Sequence, residues 1–115
     1  MNDKFDISEE FGDDHSVVNV VGELDVATAP LLQARLGAAI DRGSPVVVVG
    51  LLGVSFIDST ALGVLVGCLK QSKAVGATLK IVASAPRILK VFEITGLTEV
   101  FSIFSTVDEA LNGAH

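Results

Sequence analysis

Val54-Ser55-Phe56-Ile57-Asp58-Ser59-Thr60-Ala61-Leu62-Gly63-Val64-Leu65 joins a run of extended-chain formers to a run of helix formers through three polar residues. β-branched and aromatic side chains suit a strand, whereas Asp or Ser followed by Ala and Leu suits a helix start. The stretch predicts a strand from Val54 to Ile57 and a helix from about Ser59 to Val75. Gly76 would stop that helix, and Lys70 and Lys73 lie near its C-terminal end, where cations are favoured. A strand running directly into a helix is the repeating step of an α/β fold.

Upstream, Pro45 to Val49 shows no polar alternation, which marks a central strand covered on both faces, expected to end at Gly50. Before it, Leu32, Leu36, Ala39 and Ile40 form an apolar stripe at helical spacing, with Thr28 as cap, Pro30 in the first turn and Gly43 as stop. Phe5 and Ile7 alternate with polar residues, Gly12-Asp13-Asp14 makes a turn, and Val17 to Val21 is β-rich, so a hairpin opens the fold. Downstream, Ala77 to Ala83 reads as a strand, Pro86 to Ile94 as a helix stopped near Gly96, and Phe101 to Phe104 as a last strand. Thr106 with Glu109 forms a capping box for a terminal helix through Leu111. The order β-β-α-β-α-β-α-β-α predicts one α/β domain over residues 1–115, with a mixed sheet of about five strands and about four helices.

Composition narrows the function. The chain has 115 residues, half of them hydrophobic, and a mean hydropathy of +0.60, which suits one buried core and not a disordered chain. Eight basic against fourteen acidic residues give a net charge of −6, which repels nucleic acid phosphates and anionic membranes. No apolar run reaches the roughly 18 residues of a membrane span, and the polar, acidic start does not read as a signal peptide. The single cysteine, Cys68, needs no oxidising compartment, so a cytoplasmic protein with a buried structural thiol is expected.

Chemistry concentrates at Asp58-Ser59-Thr60. A helix N-terminus leaves N–H groups unpaired and carries partial positive charge. Asp58 or Ser59 can therefore simply cap the helix, or Ser59 can carry a phosphoryl group, which the helix end favours by about 0.3 to 1 kcal/mol. Asp25 has the same two readings, a turn residue before the first helix or part of a site. Ser59 as a catalytic nucleophile lacks a base, since His15 lies in a turn and His115 at the C-terminus. One Cys and two distant His offer no metal-ligand spacing, and Asp13-Asp14 reads as a solvated turn. Phe92, Phe101 and Phe104 read as core or edge aromatics. No Walker-type loop is present, so a nucleotide-binding or hydrolytic domain ranks last, and no enzyme activity, cofactor or metal is expected.

The segment from Val54 to Leu65 resembles the signature of the STAS family of anti-sigma factor antagonists, a strand running into Asp-Ser-Ser/Thr-Gly/Ala-Leu-Gly at a helix start. Gly22-Glu23-Leu24-Asp25 with Thr28-Ala29 is similar to the family's turn into its first helix, and Ile94-Thr95-Gly96-Leu97 to the segment after its third. The resemblance implies a central sheet flanked by helices and a role in partner switching. The unmodified protein would bind an anti-sigma factor that is also a serine kinase, releasing the sigma factor. Phosphorylation of Ser59 with ATP would end the interaction, and a serine phosphatase would restore it. Asp25, Asp58, Thr60, Ala61 and Gly63 would flank the phosphorylated residue or meet the partner. Two positions depart from the pattern. Gly50 stands where the family usually has Asp or Asn, which removes a polar side chain expected near the serine and bears on kinase recognition or partner choice. Ala61 stands where Gly is commoner, and it is the better helix former. The alternative within the family is a scaffold in a signalling or lipid-transport assembly, with Ser59 only a cap.

Overall fold

A computed structural model describes residues 5–112. Asp6–Phe11 (β1) and His15–Leu24 (β2) form the opening antiparallel hairpin, with Asp6 opposite Val21 and Phe11 opposite Ser16. There follow Ala29–Asp41 (α1), Val46–Ile57 (β3), Ser59–Ala74 (α2), Thr78–Val82 (β4), Pro86–Ile94 (α3), a 3-10 turn at Leu97–Glu99, Ser102–Phe104 (β5) and Val107–Leu111 (α4). The sheet order is β1-β2-β3-β4-β5, and β2 to β5 run parallel. The expected mixed five-stranded α/β sheet with four helices is the one observed.

Each parallel strand is laid beside the one before it, and parallel crossovers are right-handed, so successive connecting helices fall on the same face. Val18, Val20, Val47, Val49 and Ile81 accordingly pack against α1, α2 and α3 in the main core, where Phe92 meets Phe101 edge to face at 5.8 Å. Cys68 is buried in this core, and its burial pushes the thiol pKa up. The opposite face is covered by α4, whose Ala110 closes a smaller cluster with Val17, Val48 and Val82. Among the described residues no helix is long and apolar enough to cross a membrane.

Three expectations need correction. The central strand does not end at Gly50; Val46–Ile57 is one strand of 12 residues. It carries two extra residues relative to β2, because Asn19 and Val21 pair with Gly50 and Gly53, and Gly22 and Glu23 with Val54 and Phe56. These bulges break the alternation that would have revealed a continuous strand. Second, Thr28 occupies the N-cap position of α1 without capping it. Its hydroxyl donates to the Glu23 carbonyl at 2.8 Å and accepts from the Asp25 N–H at 2.9 Å, which ties the preceding turn together. Third, the α4 capping box is shifted: Thr106 Oγ1 accepts from the Glu109 N–H at 3.1 Å, but the Glu109 carboxylate reaches the N–H of Ser105 and not that of Thr106.

One edge of the molecule is fixed by charge. Glu9 on β1, its side chain 12% exposed, accepts from Arg35 Nε and, at 3.2 Å, from Arg42 Nη2 on α1. The hydrogen bond from Arg35 is the chief reason its carboxyl titrates below the ordinary range. Arg42 also lies 4.0 Å from the ring centre of Phe11.

Candidate functional site

The C-terminal ends of β2 and β3 meet where the Asp58 N–H donates to the Leu24 carbonyl at 3.0 Å. That bond sets Asp25, the residue after Leu24, beside the start of α2. Asp25 builds its own turn: Oδ1 accepts from the backbone N–H groups of Ala27 at 3.0 Å and Thr28 at 3.2 Å. Two adjacent amides on one carboxylate oxygen make an Asx-type turn, which fixes the path from β2 into α1. The turn reading of Asp25 therefore holds, and the same turn places the residue at the serine end of the sheet.

Asp58 is the N-cap of α2 in extended conformation, and its Oδ1 accepts from the Ala61 N–H at 3.0 Å. The capping role thus falls to Asp58. Ser59 becomes the first residue of the helix, and its side chain is exposed, as is that of Thr60. Gly63, one turn on, is also exposed, and a Cβ there would meet nothing within 4 Å. Ala61 is fully buried, so it contributes only the N–H that Asp58 caps. The methyl that replaces the commoner glycine fills core space and does not alter the surface.

Gly50 is placed differently from its sequence reading. It lies mid-sheet between Asn19 and Val82, and Ile57 is seven residues farther along the strand, about 23 Å of extended chain. The space a side chain would take there is filled by Asn19, whose Oδ1 would be 2.2 Å from a Cβ on Gly50. The departure is compensated locally and does not reach the serine. His15 opens β2 and Leu24 closes it, which sets the imidazole about 30 Å from the serine end; His115 lies outside the described residues. Sequence reasoning did not single out Val26, 71% exposed in the Asp25 turn, or Arg87, which donates to the Ser55 carbonyl at 3.3 Å from the first turn of α3. Pro86 at the start of α3 is the signal that could have placed Arg87 there.

The site is thus an exposed hydroxyl on the first turn of a helix, flanked by two carboxylates that are occupied in shaping the backbone. Among the described residues the structure brings no histidine to it. Residues 6–110 match the family model described as the STAS domain. The chain belongs to the STAS-domain family. This STAS domain is 37% identical to the anti-sigma-B factor antagonist of Bacillus subtilis over 103 residues, which is 90% of this chain and 92% of that protein. The crystal structure of an anti-sigma factor antagonist from Mycobacterium paratuberculosis superimposes with a TM-score of 0.88 at 31% identity, covering 97% of this chain and 95% of that one. The fold is shared as well by SpoIIAA, a Bacillus cell fate determinant solved in unphosphorylated and phosphorylated forms. Both are 24% identical to this STAS domain; the TM-scores are 0.77 and 0.71, the coverage 95% and 97% of this chain and 94% and 100% of those chains. These relatives set it among the anti-sigma factor antagonists.

Proposed function

We propose that this STAS domain is a phosphorylation-controlled switch of cytoplasmic transcription regulation. Its unphosphorylated form binds an anti-sigma factor that is also a serine kinase, and the sigma factor is released. Transfer of the ATP γ-phosphoryl group to Ser59 Oγ ends the interaction, and a serine phosphatase restores it. The observation that carries this reading is the position of Ser59: exposed, first in α2, and no longer needed as a cap because Asp58 fills that role. Asp25, Asp58, Thr60 and Gly63 form the surface that surrounds the phosphoryl group and the docked partner. Gly63 leaves room for close approach, and Val26 offers an apolar contact from the Asp25 turn.

The test is incubation of the chain with candidate serine-kinase anti-sigma factors and ATP, followed by mass spectrometric mapping and a binding assay. Phosphate on Ser59, its absence from Ser59→Ala, and loss of partner binding only in the phosphorylated chain are the expected results. Partner binding with no phosphate on Ser59 would instead assign the chain to a scaffold role.

A further inference from the structure

Among the described residues, α1, α2 and α3 share one face of the sheet, so the opposite face depends on α4, a helix of five residues. Parallel strands are ordinarily covered on both faces. Here α4 covers Val17, Val48 and Val82 and stops. Nearer Ser59, the same face of the sheet carries Val21, Leu52 and Phe56, which are 47%, 52% and 46% exposed. Their grouping follows from the bulges. Each extra residue in β3 lets two successive residues face the same way, Leu52 with Gly53 and Ser55 with Phe56, while Val54 and Ile57 stay buried on the helical face. Gly53 lies under Val21, since a Cβ there would come 2.9 Å from a Val21 methyl. The result is a shallow apolar floor beside α4.

Charge selects the occupant. Asp6 pairs with Val21 and Glu23 with Phe56, so exposed carboxylates border the floor on two sides. Of the cations near it, Lys80 is held under α4, where it donates to the Ala110 carbonyl at 2.7 Å and lies over the Phe104 ring, and Arg87 lies on the α3 side, donating to the Ser55 carbonyl at 3.3 Å. A second copy of the chain would set acidic border against acidic border on molecules of net charge −6. We infer that this uncovered half-face docks an amphipathic helix of a partner protein, with its apolar side on Val21, Leu52 and Phe56 and its Lys/Arg flanks toward Asp6 and Glu23. The helix continues the layer that α4 begins. Because α2, which Ser59 opens, packs on the other face, this docking does not rest on the switch.

The experiment titrates the full 15N-labelled chain with a Leu/Lys amphipathic peptide of about 15 residues, roughly four helical turns. A Leu/Glu peptide with the same apolar face is the control. Saturable shifts centred on Val21, Leu52, Gly53 and Phe56 are expected, with the Leu/Glu peptide about tenfold weaker or worse. Leu52→Ser with Phe56→Ser abolishes the shifts. Glu23→Lys or Asp6→Lys, exposed positions that leave the core untouched, weaken the Leu/Lys peptide and strengthen the Leu/Glu one. Three outcomes overturn the proposal: no shifts or shifts centred elsewhere, equal binding of the two peptides, or movement of the same resonances on dilution without peptide, which would give the face to a second copy.

Discussion

Asp58 has two roles that a pair of substitutions separates. Its Oδ1 caps α2 through the Ala61 N–H, and its charge lies next to the serine. Asn caps about as well as Asp, whereas Ala leaves an N–H unpaired and costs about 1 kcal/mol. Asp58→Ala should therefore lower the melting temperature by about 4 °C, the shift that 1 kcal/mol produces in a domain of this size. Asp58→Asn should melt within a degree or two of the parent, the few tenths of a kcal/mol that separate the two caps. Thermal unfolding followed by circular dichroism reads both. Equal losses for Asn and Ala would mean that the carboxylate charge, and not its hydrogen bond, holds the start of the helix. The sequence singled out Asp58 and Ser59 together, and the geometry divides the roles: the aspartate caps, and the serine is left free.

The elements were legible where periodicity is clean and were misread where local geometry interrupts it. The apolar stripe of α1 and the strand-to-helix step at Ile57–Ser59 both appear as the pattern predicts. β3 was divided because two bulges turn Leu52, Gly53, Ser55 and Phe56 to one face, and no single period of two spans them. The compensation of Gly50 by Asn19 joins residues 31 positions apart and has no signature in either segment alone. The Glu9 cluster is hidden for the same reason, since it depends on β1 lying over α1. Its lowered pKa makes a prediction. A carboxylate depressed in the folded state stabilises the fold above its unfolded pKa, about 4.3, and that stability is lost as pH falls through the folded value. Glu9→Gln should cost about 0.5 to 1.5 kcal/mol at pH 7. Arg35 and Arg42, 43% and 45% exposed, put the effect toward the lower figure in salt. Urea unfolding at neutral pH and below the carboxylate range should show the gap and then its closure. A gap that persists in acid would assign it to packing.

On the scale of the molecule, the question is how a phosphoryl group on one exposed side chain switches an interaction without dismantling the fold. A phosphoserine adds about 1.5 to 2 negative charges to a chain of net charge −6. Within the free chain two effects oppose each other. A carboxylate at about 4 Å would repel about 1.5 to 2 charges by about 1.5 to 2 kcal/mol in water, and the helix end returns about 0.3 to 1 kcal/mol. The difference is at most about 1.7 kcal/mol, several degrees in melting temperature. Ser59 is exposed, so no core contact has to break. Once a partner excludes water, the repulsion per unit charge rises toward about 4 kcal/mol at an effective dielectric near 20, an increase of about 3 kcal/mol, which weakens binding by at least about a hundredfold. The phosphorylated chain should therefore keep a dispersed amide spectrum and lose no more than several degrees of melting temperature, while its affinity for the anti-sigma partner falls by that order. Widespread collapse of amide dispersion on phosphorylation would show instead that the switch works by unfolding, and the surface around Asp25 and Asp58 would then have no direct part in it.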